Sequence, residues 1–100
     1  MTTYILMTKL SPEIQREVHH RAEIGKQWKQ AVDEKCPGVK WVAHYALLGP
    51  YDFMDVYEAP DIETAHRVSL ISRSGGALTA ESWPAVPYDR FLGLLQDVEP

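Results

Sequence analysis

Asp55 and His44 are the two side chains of this chain best suited to handling protons, and both fall inside runs of apolar residues. Asp55 alternates with Phe53 and Tyr57, so an ionised carboxylate stands in an apolar row, where it costs roughly several kcal/mol unless paired. It needs a partner. His44 occurs in a second apolar run, on the opposite parity from Trp41 and Tyr45, and imidazole is the side chain that exchanges protons near neutral pH. If it lines a cavity it could be a base; otherwise His44 is a packed or rim histidine. Arg21 projects between Trp28 and Val32 on a helical wheel. There it could clamp a ligand carboxylate bidentately, neutralise Asp55, or run its alkyl stem out to solvent. Trp41, Tyr45, Tyr57 and Trp83 supply rings for the walls of an apolar ligand pocket or for a core and an interface. The expected ligand-binding set is therefore Arg21, Trp41, Tyr45, Tyr57 and Trp83.

Other chemistry-like spacings carry less. Glu17 with His20 and Glu63 with His66 each make a Glu-x-x-His pair, but a di-iron site draws carboxylates from further facing helices. Solvated helix surface is the expected role, and no metal ligands are assigned. Residues 72–76 are polar but follow a helix C-terminus, the wrong dipole end for an anion. Cys36 is the single cysteine, so an internal disulfide is excluded, and its expected role is that of a small apolar residue at a helix end.

The elements that must position these residues read clearly. Residues 3–10 form a first strand. Ser11, Pro12 and Glu13 then supply an N-cap, a first-turn proline and an acid at the positive helix end. Ile14, Val18, Gly25, Trp28, Val32 and Cys36 recur at helical spacing, which predicts one long helix ended by Pro37 and Gly38, with Gly25 allowing close approach to a sheet. Residues 39–48 and 53–58 read as the strands of a hairpin around Gly49, Pro50, Tyr51 and Asp52. Gly49 supplies a positive φ there, and Asp52 is expected to bond hairpin amides. Glu58 and Pro60 mark the strand exit, and Asp61 caps a second helix running to about Arg73. Residues 77–83 form a fourth strand broken by Pro84 and Pro87, and a short terminal helix follows from Tyr88. Lys9 and Glu81 are expected to pair across neighbouring strands.

The order βαββαβ is the ferredoxin-like split βαβ arrangement: an α+β fold with a four-stranded antiparallel sheet and both helices on one face. Both sheet faces are nevertheless apolar. Tyr4 and Leu6 oppose Ile5 and Met7, while Phe53 and Tyr57 oppose Met54 and Val56. Two helices cover one face, so a homodimer or higher homo-oligomer with sheets packed face to face is expected to cover the other.

Several runs are similar to those of a known family. These are Thr3-Tyr4-Ile5 with Thr8-Lys9-Leu10, Leu48-Gly49 followed by Tyr51-Asp52-Phe53, Glu58-Ala59-Pro60-Asp61, Glu81-Ser82 before Pro87, and the Phe91-Leu92 tail. Through them the chain resembles the GYD domain family of the dimeric α/β-barrel superfamily, with Pro50 standing where the family's turn is usually polar. The resemblance implies a ferredoxin-like fold and a dimer. It supplies no reaction, because the superfamily spans cofactor-free oxygenases, isomerases, haem enzymes and sensing domains.

One domain of 100 residues with a net charge of -4 and interspersed charges is poorly suited to nucleic acid or an anionic membrane surface. The apolar start Tyr4-Ile5-Leu6-Met7 is too short for a signal-peptide core, so a cytoplasmic protein is expected. Two functions follow: a homodimer that binds a small organic metabolite in an apolar cavity, with cofactor-free turnover of oxygenase or isomerase type through His44 and Asp55, or a non-catalytic sensing or assembly module.

Overall fold

The computed structural model describes residues 1–99. Its elements are β1 (Thr2–Leu10), α1 (Pro12–Arg16), a 3-10 turn (Val18–His20), α2 (Arg21–Lys35), β2 (Lys40–Ala46), β3 (Phe53–Ala59), α3 (Ile62–Ser74), β4 (Ala77–Ala85) and α4 (Tyr88–Val98). The four strands form one antiparallel sheet in the order β2-β3-β1-β4. This is the α+β ferredoxin-like fold, with α2 and α3 over one face.

Strand parity sets the core. Tyr4 and Leu6 on β1, Tyr57 and Ala59 on β3 and Ala80 on β4 meet Val32 and Cys36 below α2 and Ala65 and Val68 on α3. Leu6, Val32, Tyr57 and Val68 are wholly buried. Burying one such side chain contributes about 1.5–3 kcal/mol. Rings run outward from this core: Tyr4 stacks on Tyr57 at 5.5 Å, Tyr57 meets Trp41 at 5.5 Å, and Trp41 meets Trp28 at 5.3 Å. The Tyr57 hydroxyl is satisfied by Ser82 at 2.7 Å, and Ser82 by Ser69 at 2.8 Å. Burial pushes the Tyr57 phenol up to about 12, so it stays a neutral structural group.

The single first helix expected from periodicity is instead divided. Glu17 leaves helical geometry at ψ 56°, and Val18, placed by spacing on the buried stripe, is 70% exposed. The reason is tertiary. Ser11 N–H donates to the Gly76 carbonyl at 3.0 Å, and Ile14 lies on Gly76, so α1 is fastened to the turn between α3 and β4. The chain must then bend to lay α2 across the sheet. Arg21 Nε and Nη2 donate to the carbonyls of Ile14 and Gln15 at the end of α1, and the Ile14 carbonyl also accepts from the Glu17 amide at 3.0 Å. Gly25 makes no close approach: a Cβ built there would meet nothing within 4 Å.

Three further expectations change. Strand β4 runs through Pro84, which pairs with Tyr4. Because β4 is an edge strand, a residue without an N–H is tolerated there. Lys9 stands opposite Thr79 and donates to the Pro50 carbonyl at 3.0 Å, while Glu81 stands opposite Met7 and accepts from Trp83 Nε1 at 2.9 Å. No Lys9–Glu81 pair forms, because the β1–β4 register sets them two residues out of line. Asp52 accepts from the Leu10 amide on β1 at 2.7 Å rather than from its own hairpin. It thereby ties the β2–β3 loop to the end of β1, and the Asp52 amide donates to the Thr8 carbonyl at 2.8 Å to complete the tie. Gly49 adopts φ 157°, and Asp61 caps α3 by accepting from the Thr64 amide at 2.8 Å.

On the sheet face away from α2 and α3, Tyr45 and Trp83 remain 55% and 42% exposed, beside half-buried Ile5, Met54 and Val56. Helix α4 buries none of its residues, although Tyr88, Phe91, Leu92 and Leu95 recur at helical spacing.

The Gly76–Ile14 contact has a measurable consequence. Gly76 has φ 114°, and a Cβ there would fall 2.5 Å from Ile14 Cγ1. Gly76→Ala should lower the free energy of unfolding by about 1–3 kcal/mol in urea titration. Ile14→Ala in the same chain should recover only the steric share, since the φ strain persists.

Candidate functional site

Helix α2 diverges from the sheet towards its N-terminal end. Its C-terminal half contributes buried Val32, whereas Ala22 and Gly25, both exposed, line a cavity of about 780 Å³. The apolar walls include Leu10, Ile14, Ile24, Trp28, Trp41 and Phe53. The titratable groups lining it are Arg21 and Lys29 from α2, His44 from β2 and Asp55 from β3. Gly25 belongs to this cavity because a side chain there would occupy it.

A β-bulge brings the acid and the imidazole together. On β2, Trp41 pairs with Tyr57, but the next pairing is Ala43 with Val56, so Val42 is an extra residue. The parity of β2 reverses across it. His44 then pairs with Asp55, on the same sheet side as Trp41, and Tyr45 pairs with Met54 on the opposite side. Regular alternation would have put His44 away from Trp41 and Tyr45 beside it. Bulges redirect side chains in this way.

Asp55 is 3% exposed, and its Oδ1 is hydrogen-bonded to His44 Nδ1. Burial pushes its carboxyl up from the ordinary value of 3.8, opposed by the charge and hydrogen bond of His44. His44 is fixed on its other side by Phe53, stacked at 5.7 Å. With Nδ1 directed at the carboxylate, Nε2 is the nitrogen left for a ligand, the arrangement by which a carboxylate sets the tautomer of a general base.

The tryptophan walls are also held in place. Trp28 Nε1 donates to Ser72 Oγ at 2.7 Å, and Ser72 Oγ donates to the Val68 carbonyl at 2.9 Å. Trp41 Nε1 donates to Asp33 at 3.3 Å, and Asp33 is paired with Lys29 at 2.8 Å. That lysine hydrogen bond holds the Asp33 carboxyl below its ordinary range.

The other residues singled out in the sequence fall as follows. Arg21 lines the cavity and is exposed, engaged with the carbonyls at the end of α1 rather than with Asp55. Trp41 is a wall. Tyr57 lies in the core beneath it, wholly buried. Tyr45 and Trp83 are on the far face and do not reach the cavity: the bulge turns Tyr45 away, and Trp83 shares the outward parity of Ile5. Glu17 and His20 bond one another at 2.8 Å on the surface. The walls Leu10, Ile14, Ile24 and Phe53 had no distinguishing signal, because apolar residues at element ends read the same whether they fill a core or border a void.

A model of the GYD domain matches residues 4–95. A Thermus thermophilus protein named glutamine synthetase and cystathionine beta-lyase binding protein is 36% identical over 87 residues, covering 87% of this chain and 90% of its own length. A solved structure described as "crystal structure of FFRP-DM1" superposes with a TM-score of 0.53 at 17% identity. It covers 86% of this chain and 100% of its own, a likeness of fold alone.

The raised Asp55 pKa fixes the sign of a pH effect. The folded state holds this proton more tightly than the unfolded chain, so the carboxyl's contribution to stability is greatest below 3.8 and declines as pH rises through the window above it. Asp55→Asn lacks that decline. Urea midpoints of parent and variant should therefore diverge in the variant's favour as pH rises across the window, and a constant difference would refute the assignment.

Proposed function

The chain belongs to the GYD domain family, and from that premise we propose that it is a homodimeric cytoplasmic protein that binds a small organic molecule between α2 and the sheet, with His44 as proton acceptor and Asp55 orienting it. One observation carries this reading: the His44–Asp55 pair lines an apolar cavity of about 780 Å³. The size lies in the range of roughly 300–1,000 Å³ usual for small-ligand sites. Proton abstraction with no bound cofactor is the chemistry proposed, as the first step of an isomerisation or a reaction with oxygen. Trp28 and Trp41 act as walls and Arg21 as a cation at the margin. Tyr57 supports the Trp41 wall from the core.

The homodimer reading is supported by the apolar face of the sheet that carries Tyr45, Met54, Val56 and Trp83. No helix of the described residues is long and apolar enough to cross a membrane. A two-fold pairing of identical faces satisfies both copies with one surface.

A second reading has its own observation. The Thermus relative is named for binding two enzymes, and in this chain α4 exposes Tyr88, Phe91, Leu92 and Leu95. A non-catalytic assembly role would use those surfaces and leave His44 and Asp55 to satisfy each other.

Native mass spectrometry of protein purified from its own host separates these readings. The expected result is a dimer carrying a stoichiometric small molecule, with the molecule lost in Gly25→Leu, whose side chain would enter the cavity. A ligand-free monomer would sink the proposal, and a ligand-free complex with a host enzyme would favour assembly. Val56→Glu, on the outer sheet face, should convert the dimer to monomer in sedimentation velocity while leaving the thermal unfolding of the single chain cooperative.

A further inference from the structure

The chemistry of the cavity lining narrows what it would hold. Resting on the ligand-binding reading above, we infer that the cavity takes planar aromatic or enolic weak acids and holds them as oxyanions against His44 Nε2, with Asp55 as the positioning residue. The walls are flat or aliphatic: Trp28, Trp41 and Phe53 with Leu10, Ile14 and Ile24. Such walls favour a flat apolar body, since stacked or edge-on rings gain about 0.5–1.5 kcal/mol beyond burial.

The polar groups then select the functional group. Trp28 Nε1 and Ser72 Oγ bond each other, and Ser72 also bonds the Val68 carbonyl. Trp41 Nε1 is held by Asp33. Among the titratable groups lining the cavity, Asp55 is bonded to His44 and Lys29 is paired with Asp33, which leaves the Arg21 guanidinium, donating to backbone carbonyls, as the positive charge without a carboxylate partner. A cationic ligand would face the Arg21 guanidinium, and the one carboxylate in the lining already has a partner. A permanently charged carboxylate would surrender its hydration to walls that offer few free donors. A weakly acidic hydroxyl avoids both costs. It enters neutral and ionises only where His44 Nε2 can accept its proton: the ligand O–H bond breaks, the Nε2–H bond forms, and the oxyanion remains beside an imidazolium whose Nδ1–H donates to Asp55. Charge is conserved, and no oxidant or further reactant is needed.

The test uses 7-hydroxycoumarin, whose phenol and phenolate differ in absorbance, with coumarin as its non-acidic isostere. Bound to the parent protein, 7-hydroxycoumarin should titrate about one pH unit lower than free dye, equivalent to about tenfold more phenolate at a given pH. His44→Gln should abolish the shift while coumarin still binds. Asp55→Asn should shrink the shift without abolishing coumarin binding, a change that loss of packing alone does not produce. Gly25→Leu should weaken both ligands. Circular dichroism melts check that each variant folds.

Two results would overturn the inference in different ways. If both ligands bind, with Gly25→Leu weakening them, but the dye titrates as it does in water or shifts equally in His44→Gln, the weak-acid class is wrong and the cavity reading survives. If neither binds the parent protein, the ligand class and the cavity reading fail together.

Discussion

A carboxylate that is 3% exposed in an inner strand of the sheet is the demand that the rest of the site answers. Left alone, an ionised Asp55 would cost roughly several kcal/mol, a large part of the ~5–15 kcal/mol by which a domain is stable. It is tolerated because His44 sits directly across the ladder. That placement depends on one inserted residue, Val42, which turns β2 over between Trp41 and His44. The bulge therefore does two things. It gives the buried acid its partner, and it sets the partner's ring at the wall of a cavity with its second nitrogen directed away from the acid.

Why the cavity exists follows from how the segment before α2 is fastened along its border. Ile14 seated on Gly76 and the Ser11–Gly76 hydrogen bond fasten α1 to the α3–β4 turn, and the chain breaks at Glu17 before α2 begins. Helix α2 is consequently anchored at its C-terminal end, by Val32 with Cys36 just beyond it, and stands away from the sheet at its start. Small residues there, Ala22 and Gly25, leave the gap unfilled. The aromatic series Tyr4, Tyr57, Trp41 and Trp28 connects the packed end to the open one, so the walls nearest the site are braced by the core rather than by loops.

The motifs that make the chain recognisable do a different job. Asp52 binds the Leu10 amide, Gly49 supplies an unusual φ, and Asp61 caps α3. Each fixes where an element begins or ends. Together they hold the β2–β3 hairpin in register with β1 and so hold Asp55 in the middle of the sheet. His44 and Asp55 lie beside them, outside the short runs through which the resemblance is read.

Element order, sheet topology and the parity of β1 and β3 were determined by the sequence itself. Period-two and helical patterns, prolines at helix starts and side-chain caps act over a few residues, so they are visible locally. The same patterns indicated that Asp55 had to have a partner and that the sheet had two apolar faces. Three outcomes were decided only in the folded molecule: the bulge at Val42, the break at Glu17 and the open space at Gly25. Trp41-Val42-Ala43 reads as a continuous strand, and the stripe from Ile14 to Cys36 reads as one helix, because nothing local opposes either. What opposes them is distant: the register with β3 in one case and the grip of Gly76 on Ile14 in the other. Those contacts join residues far apart in the chain, and for that reason the site was legible as a list of candidates but became a geometry only when the sheet and helices packed.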